Sequence, residues 1–488
     1  MPTAADYIRI LPEIVLTVWG MIVMFIESLL PARSSRKGLG LFAATGALAA
    51  IAATFYQAQP EFAGFGFGHM LRVDHFSIFF HLIVLLVVLA TILMSLDYLP
   101  FQKIDHGEYY ALILLGAVGM CLMSSAVELV LIFIALEISS ISSYILAGFR
   151  RRSAEGAESS LKYFLLGSFA TAFFLYGVAL LYGATRSTNV FDIAAALSTG
   201  PIQPLAYFAV ALIFTGLGFK VACAPFHVWA PDVYEGAPSP VVAFMSTAPK
   251  AATFAVLIRV VIETASPNWF WIIWTAAVLS MCAGNLGAIR QTNVKRMLAY
   301  SSIAHAGYLM VAFASASNRE LGISAAMFYS AAYAAMNVGA FAVITQMAGS
   351  EERYSLIDDY SGLGKRSPLL AAALTFFLLS LIGIPITGGF FAKFYVFSAA
   401  LRANLIWLTV IGLANSGVGS YYYLRLIVRM YMFEPRTEDP APKIRFGVGM
   451  AIAISLVATL WLGVLPNVIL HYTQGAYTQG AYTILARH

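Results

Sequence analysis

Charged residues are scarce in this chain. Only 11% of its 488 residues are Asp, Glu, Lys or Arg, compared with about 25% in soluble globular domains. Hydrophobic residues make up 60% of the chain, and the mean hydropathy is +0.80. This composition excludes a soluble globular protein and predicts a polytopic membrane protein embedded in a lipid bilayer.

Cysteine is also rare. The three cysteines, Cys121, Cys223 and Cys282, each fall in an apolar segment and lack the spacing of metal ligands. We therefore expect no disulfide, no zinc site and no iron–sulfur cluster. A dinucleotide-binding fingerprint and a haem-attachment motif are likewise missing from the sequence. The chain is therefore expected to carry no redox centre, metal or cofactor of its own.

The basic residues are dispersed. The net charge of +5 comes from short clusters between apolar segments, without the continuous patch or arginine-rich arm of a nucleic-acid-binding protein. Nucleic acid is therefore not an expected partner. The N-terminus lacks the charged start and small-residue cleavage site of a secretory signal, so the first apolar run is expected to remain as the first helix.

Long apolar runs recur along the whole chain. A spanning helix needs about 20 mostly apolar residues, and fourteen segments fit this criterion, which predicts an all-α polytopic membrane protein. The twelfth segment is too long for one straight helix. The segments run roughly over residues 8–30, 39–58, 75–97, 109–125, 127–148, 160–184, 204–228, 239–265, 269–290, 295–316, 322–348, 368–401, 406–432 and 444–466.

The loops differ in positive charge. One set of alternate connections holds sixteen Lys and Arg residues, whereas the opposite set, together with both termini, holds six. Because Lys and Arg are enriched in cytoplasmic loops, this bias predicts that both termini lie on the outer, periplasmic side of a bacterial inner membrane.

Five ionisable residues are singled out because they lie at membrane depth within the apolar segments: Glu137, Lys220, Lys250, His305 and Lys393. At 1.5 Å per residue, Glu137 lies about 15 Å into the fifth segment, Lys250 about 16 Å into the eighth and His305 about 15 Å into the tenth, which are depths near the middle of a bilayer. A charge at such depth costs at least about 2.5–3.5 kcal/mol, so these groups are predicted to face an interior ion or proton route. Snorkelling is the alternative for the lysines, and neutral packing is the alternative for His305.

Other ionisable residues lie nearer the ends of the segments, where snorkelling or local pairing is the better prediction. These residues are Lys162, Arg259, Glu263, Arg425 and Arg429.

Two of the buried lysines adjoin helix breakers. Lys220 is followed by "VACAPFHVWAPDVYEGAPSP", and Lys393 lies within "GIPITGGFFAKFYVF". Proline removes a backbone donor and clashes with the preceding turn, and non-helical backbone at membrane depth persists only where protein or a wet cavity surrounds it. The seventh and twelfth segments are therefore predicted to be interrupted helices of the kind found in transporters, with a simple kink as the alternative.

The charged residues recur at a similar spacing. Glu137 and His305 are 168 positions apart, and Lys220 and Lys393 are 173 apart. This spacing predicts two five-helix units, 109–265 and 269–432, which have inverted topology because five is odd. Residues 1–108 would form three further helices, and residues 433–488 the last helix and a tail.

Three long motifs carry a resemblance to a known family. "KVACAPFHVWAPDVYEGAPSPVVAFMSTAPKAA" (220–252), "RQTNVKRMLAYSSIAHAGY" (290–308) and "GIPITGGFFAKFYVF" (383–397) resemble the antiporter-like membrane subunits of respiratory complex I. The resemblance covers nearly the whole chain and is strongest to the N-type subunit. The chain is expected to lack the lateral-helix extension of the L-type subunit, and its twelfth segment has lysine where the M-type subunit typically has glutamate.

The resemblance implies a proton-translocating role. Glu137 matches the family's fifth-helix glutamate and Lys220 its lysine partner, Lys250 and His305 match central relay positions, and Lys393 matches the terminal lysine. Ala392 departs from the glycine found in many relatives, which bears on helix packing. The resemblance also implies that NADH, FMN, iron–sulfur clusters and quinone are bound by other subunits. The implied partners are an M-type subunit and small membrane subunits.

Two other functions stay open. A sodium/proton antiporter subunit of the Mrp type would share the scaffold and exchange cations without NADH. A purely structural membrane-arm subunit would tolerate neutral replacements of the buried charged residues.

Overall fold

The computed structural model describes residues 2–31, 34–198, 204–263, 269–315, 319–435 and 443–474, and the side chains of these residues except 261–263 and 319–320. Helices dominate these ranges, and one short antiparallel hairpin precedes the third long helix. Of the C-terminal tail with its repeated YTQGA, everything after Gln474 lies outside the described residues.

The helices are α1 (Ala4–Ile8), α2 (Leu11–Leu29), α3 (Lys37–Gln57), α4 (His75–Phe101), α5 (Glu108–Ser125), α6 (Leu129–Ala147), α7 (Ala154–Thr185), α8 (Val190–Ser198), α9 (Pro204–Val221), α10 (Trp229–Gly236), α11 (Ser239–Met245), α12 (Ala248–Glu263), α13 (Trp269–Ile289), α14 (Val294–Ala314), α15 (Arg319–Met347), α16 (Leu363–Arg366), α17 (Pro368–Ile382), α18 (Gly388–Arg402), α19 (Ile406–Met432) and α20 (Phe446–Val464). Residues 466–474 are also helical. The strands are β1 (Gly64–Gly66) and β2 (Leu71–Val73), and 3₁₀ turns cover Pro60–Phe62, Ser350–Glu352 and Ile357–Tyr360.

All fourteen predicted segments coincide with a long helix or with a pair of consecutive helices. Among the described residues, twelve spans are long and apolar enough to cross a membrane. The two predicted segments outside this set are the twelfth, which is split into α17 and α18, and α19, which carries Arg425 and Arg429. The prediction of a multi-pass helical membrane protein is confirmed.

The spans differ in how deeply they lie within the bundle. The span Ser239–Val260 is 100% buried and Val294–Ala314 is 94% buried, whereas Leu11–Leu29 is only 28% buried. The chain therefore places its central helices out of reach of lipid. Lys250 and His305 lie on these two central spans, so both side chains are enclosed by protein.

The predicted interruption of the seventh segment is present. Helix α9 ends at Val221, one residue after Lys220, and α10 begins only at Trp229. The last carbonyls of a helix lack intrahelical partners, and here the Trp229 indole donates to the Phe219 carbonyl at 2.9 Å. The Ala224 backbone amide donates to Ser280 Oγ at 2.8 Å. Side chains thus satisfy the broken backbone inside the protein.

The twelfth segment is interrupted as predicted. Helix α17 ends at Ile382, and Gly383 adopts a left-handed φ of +96°, a conformation that glycine reaches without strain. The Gly383 and Ile384 amides both donate to the Leu379 carbonyl, at 3.0 and 3.1 Å. Because Pro385 follows, the chain cannot simply continue the helix. It resumes at Gly388 as α18.

A third interruption divides the eighth segment. Helix α11 ends at Met245 and α12 begins at Ala248, and Asn337 Nδ2 donates to Ser246 Oγ at 2.7 Å between them. The apolar run 239–265 had predicted a single continuous helix here. The extra break lies two residues before Lys250.

Candidate functional site

Lys220 lies in the last turn of α9 and is only 4% exposed. Its ammonium donates to Ser140 Oγ at 2.9 Å and to the Tyr163 hydroxyl at 3.4 Å. The ammonium also lies 5.8 and 5.5 Å from the ring centroids of Tyr144 and Tyr163. Hydroxyl oxygens and aromatic faces together compensate a buried positive charge.

Glu137 lies on α6, three residues before Ser140, so both side chains share one helix face. The carboxylate does not contact Lys220 directly, although it is close enough for its charge to act on the ammonium. One carboxylate oxygen, Oε1, is buried and has no hydrogen-bond partner among the described residues. Glu137 and Lys220, which were predicted to act as a pair, therefore lie near each other in this structure but do not form an ion pair.

Three aromatic rings separate Lys220 from Lys250. Tyr163 and Trp229 stack with centroids 4.4 Å apart, and Trp229 meets Tyr234 edge-on at 6.0 Å. The Lys250 ammonium lies 6.0 Å from the centroid of the Tyr234 ring. A row of stacked and edge-on aromatic rings therefore lies between the two ammonium groups.

Lys250 and His305 line the same small buried cavity. The Lys250 ammonium donates to Ser302 Oγ, one turn before His305 on α14. The remaining polar side chains around the cavity are Thr247, Ser302, Ser330 and Tyr333. The structure therefore brings these two predicted site residues together.

Both ring nitrogens of His305 face tyrosine hydroxyls. Nδ1 lies 2.7 Å from the Tyr329 hydroxyl, and Nε2 lies 3.3 Å from the Tyr423 hydroxyl. A tyrosine hydroxyl can donate or accept, and a neutral imidazole has one nitrogen of each kind. His305 can therefore receive a proton on one side and release one on the other.

Lys393 is enclosed at the break between α17 and α18. Its ammonium donates to the carbonyls of Leu381 and Ile382 at 3.0 and 2.8 Å and to Ser416 Oγ at 2.8 Å. The ammonium also lies 5.1 Å from the centroid of the Tyr308 ring. Tyr308 adjoins the ring of His305 at 5.6 Å, so one aromatic side chain separates the two predicted relay residues.

A buried ionic cluster around Glu352 was not predicted from the sequence. Lys295 Nζ lies 2.7 Å from Glu352 Oε2, and the Tyr98 hydroxyl and the Ser239 amide donate to Glu352 Oε1 at 2.6 and 2.7 Å. Burial opposes ionisation of this carboxyl group, but the charges of Lys295 and Arg150 lower the pKa of Glu352 to about 2. The surrounding sequence, 349–367, has the composition of an ordinary polar loop and gave no signal of this cluster.

Four of the five residues near the ends of the segments have local partners, as predicted. Arg259 forms an ion pair with Asp74 at 2.8 Å, and Lys162 forms one with Asp232 at 2.6 Å. Arg425 donates to two backbone carbonyls, and Arg429 lies 3.5 Å from Asp358. The side chain of Glu263 lies outside the described residues.

A polytopic helical bundle that encloses lysines and a histidine beside interrupted helices has the architecture of the antiporter-like membrane proteins. The family model described as NADH:quinone oxidoreductase/Mrp antiporter, transmembrane region, matches residues 126–419. The chain belongs to this family.

A relative of known name and a solved structure show which members of the family this chain is similar to. The NADH-quinone oxidoreductase subunit N 2 of Koribacter versatilis (strain Ellin345) is 62% identical over 473 residues, which cover 96% of each chain. A chain of respiratory complex I from Thermus thermophilus with bound aureothin is 36% identical, with a TM-score of 0.80 over 94% of this chain and 98% of that one. The sequence resemblance to N-type subunits is thereby confirmed.

A chain of the Mrp complex from Dietzia sp. DQ12-45-1b also has a TM-score of 0.80, over 95% of this chain and 96% of that one, but is only 23% identical. This likeness shows the shared fold alone.

Proposed function

We propose that this chain is a proton-translocating membrane subunit of an NADH–quinone oxidoreductase. Its proton route would comprise Glu137, Lys220, Lys250, His305 and Lys393. The observation that best supports this route is the shared cavity of Lys250 and His305, together with the tyrosine hydroxyls on both imidazole nitrogens. The N-type relatives favour this function over that of an Mrp-type antiporter.

The first step would be a gate formed by Glu137 and Lys220. A nearby carboxylate stabilises the protonated form of a lysine, whereas burial favours the neutral form. Because Glu137 does not touch Lys220 in this structure, a shift of α6 relative to α9 would change how strongly the carboxylate holds that proton. Movement towards Lys220 would load the lysine, and movement away would release its proton.

The second step would carry the proton through the central helices. A rearrangement that admits water between the aromatic rings would let a proton from Lys220 reach Lys250, and the shared cavity would pass it to His305. From His305 the proton would move past Tyr308 to Lys393. Release of the proton from Lys393 would complete the cycle. Each charge moved against 100 mV costs about 2.3 kcal/mol, so quinone reduction in neighbouring subunits would have to drive the movement.

The assembly would divide the chemistry between subunits. NADH, FMN, iron–sulfur clusters and quinone would be bound by other subunits, and an M-type subunit and small membrane subunits would flank this one. Both termini would lie on the periplasmic side of the inner membrane, as the loop charges indicate.

The chain would comprise two inverted units, 109–265 and 269–432, between the N-terminal helices and residues 433–488. The packing of helices supports this division, because α5 packs on α6 and α12 just as α13 packs on α14 and α19. The fourth segment of each unit is also interrupted beside a buried lysine, Lys220 in the first unit and Lys393 in the second.

The proposed function is tested in inverted membrane vesicles with the Lys220→Ala variant. NADH-driven acidification is measured beside NADH–ferricyanide reduction, which reports whether the redox arm is assembled. We expect acidification to collapse while ferricyanide reduction persists. The matched control is Lys365→Ala, because this lysine is 62% exposed and pairs with the exposed Glu434. Normal acidification in Lys220→Ala would remove the basis for this route and make sodium/proton exchange the next assay.

A further inference from the structure

A deep apolar groove opens on the bundle away from the buried lysines. It lies between α4, α15, α20 and the helical residues 466–474, and has a volume of about 470 Å³. Leu86, Trp461 and Val468 line the groove and are 48, 43 and 53% exposed. The groove therefore opens towards the surroundings of the spanning helices, which in a membrane are lipid chains.

Small side chains create the groove. Ala331, Ala334, Ala335 and Val338 form one face of α15 at intervals of three and four residues. Small residues usually allow spanning helices to pack closely, yet here α4 and α20 leave a hollow over them. The hollow has almost no polar lining apart from Ser455, so an occupant must be apolar along its length.

The length of the groove along α4 matches the thickness of one leaflet of a bilayer. On α4 the lining runs from Phe79 to Ala90, which is about 16 Å at 1.5 Å per residue. The hydrocarbon core is about 30 Å thick, so one leaflet contributes about 15 Å. A spanning helix of a partner subunit would need a groove across the whole core, whereas α4 continues beyond the groove to Phe101.

The mouth of the groove carries groups suited to the membrane interface. Tyr472 lines the groove, its hydroxyl donates to the His75 carbonyl at 3.4 Å, and its ring meets the His75 ring at 5.8 Å. The His75 side chain is exposed at the start of α4. Tyrosine is typical of the headgroup level, and an exposed imidazole can donate to a phosphate oxygen.

We propose that this groove holds one acyl chain of a phospholipid from the leaflet on the side where α4 begins, with the headgroup beside His75 and Tyr472. The lipid fills the hollow over the alanines of α15 and thereby supplies the dispersion contacts that α4, α15 and α20 do not make with each other. This site is separate from the proposed proton route.

The wild-type complex tests the site without any substitution. It is reconstituted in nanodiscs of phosphatidylethanolamine and phosphatidylglycerol that contain a phosphatidylethanolamine with a diazirine midway along one acyl chain. After illumination, we expect labelled peptides from 331–338 and 454–462. Labelling of other lipid-facing segments without these peptides would overturn the proposal, as would capture of a partner polypeptide on them.

Two groove variants, Ala331→Trp and Ala335→Trp, test occupancy. Native mass spectrometry of the purified complex should show one fewer retained phospholipid in each variant, and labelling of 331–338 should fall several-fold. The control is Leu48→Trp on α3, because Leu48 is 52% exposed outside the groove. Its retained lipid should equal that of the wild type. An unchanged phospholipid count in both groove variants would contradict the assignment.

Discussion

At the scale of single residues, Lys393 is placed where a helix end can stabilise its charge. The final carbonyls of α17 have no intrahelical donors and lie at the negative end of the helix dipole. The Lys393 ammonium binds two of them and Ser416. The break that sets Lys393 beside α17 therefore also supplies its hydrogen-bond acceptors, which explains why a lysine tolerates this position.

Glu137→Gln tests the proposed gate. Glutamine keeps the shape of the side chain but removes the charge that acts on Lys220, so we expect coupled proton pumping to fall severalfold while NADH–ferricyanide reduction persists. Acidification of inverted vesicles is the measurement. Glu158→Gln is the control, because Glu158 is 63% exposed on α7. Wild-type pumping by Glu137→Gln would show that its charge is not needed.

The sequence predicted which residues lie at membrane depth, but not all of their partners. Depth follows from the position in an apolar run. Ser140 and Tyr163, which bind the Lys220 ammonium, come from α6 and α7, and only the packing of these helices on α9 brings them together. Glu352 was missed for the same reason, because its partners come from distant parts of the chain.

At the scale of helices, two of the three breaks were predicted from the sequence. Prolines and glycines mark the ends of α9 and α17, because their backbone chemistry limits helix continuation. The break between α11 and α12 falls at Ser246 and Thr247, just before Pro249, which lacks the amide that would donate to the Met245 carbonyl. Asn337 on α15 also donates a hydrogen bond to Ser246 at this break.

Gly389→Ala tests the close contact between α17 and α18. An added methyl group at residue 389 would lie 1.8 Å from the Ser380 carbonyl oxygen, so the two helices must move apart. Such overpacking costs about 1–3 kcal/mol and would displace Lys393 from its carbonyl partners. We expect a lower thermal midpoint of the purified complex and reduced proton pumping.

The control for that variant is Gly417→Ala on α19, where an added methyl group meets nothing within 4 Å. Its midpoint and pumping should stay close to the wild-type values. Equal behaviour of the two glycine variants would contradict the role assigned to the contact.

At the scale of the whole molecule, Glu352 joins parts of the chain that are far apart in sequence. It binds Tyr98 on α4, Ser239 at the start of α11 and Lys295 on α14. Removal of one partner from a buried ion pair leaves the other charge uncompensated. The cluster therefore stabilises the packing of α4, α11 and α14 at one end of the bundle.

Glu352→Gln should destabilise the protein by about 3–5 kcal/mol at neutral pH, because Lys295 loses its counter-charge. Since the folded-state pKa of Glu352 is lowered from 4.5 to about 2, its contribution is fully present above pH 4.5 and is lost as the pH falls towards 2. The thermal midpoints of variant and wild type should converge over that range. A difference in thermal midpoint that stays constant with pH would contradict the electrostatic origin of this contribution. The control is Glu434→Gln, because Glu434 is 81% exposed.

The overall architecture was largely accessible from the sequence, because a bilayer sets the length and polarity of each span. The fourteen segments were predicted on this basis. Which spans pack against each other was not predicted, because apolar faces such as those of α13 and α14 carry little information about the neighbour that they contact. The apolar groove beside α15 likewise emerged only from the packed structure.

The central claim is that protons pass through the buried residues of this chain, and the ratio of protons translocated to NADH oxidised in proteoliposomes tests it most directly. Lys250→Ala would remove the group that shares a cavity with His305, whereas Lys37→Ala would alter a lysine that is 52% exposed. We predict a lower ratio for Lys250→Ala and a wild-type ratio for Lys37→Ala. An undiminished ratio in assembled Lys250→Ala complex would contradict the proposed route.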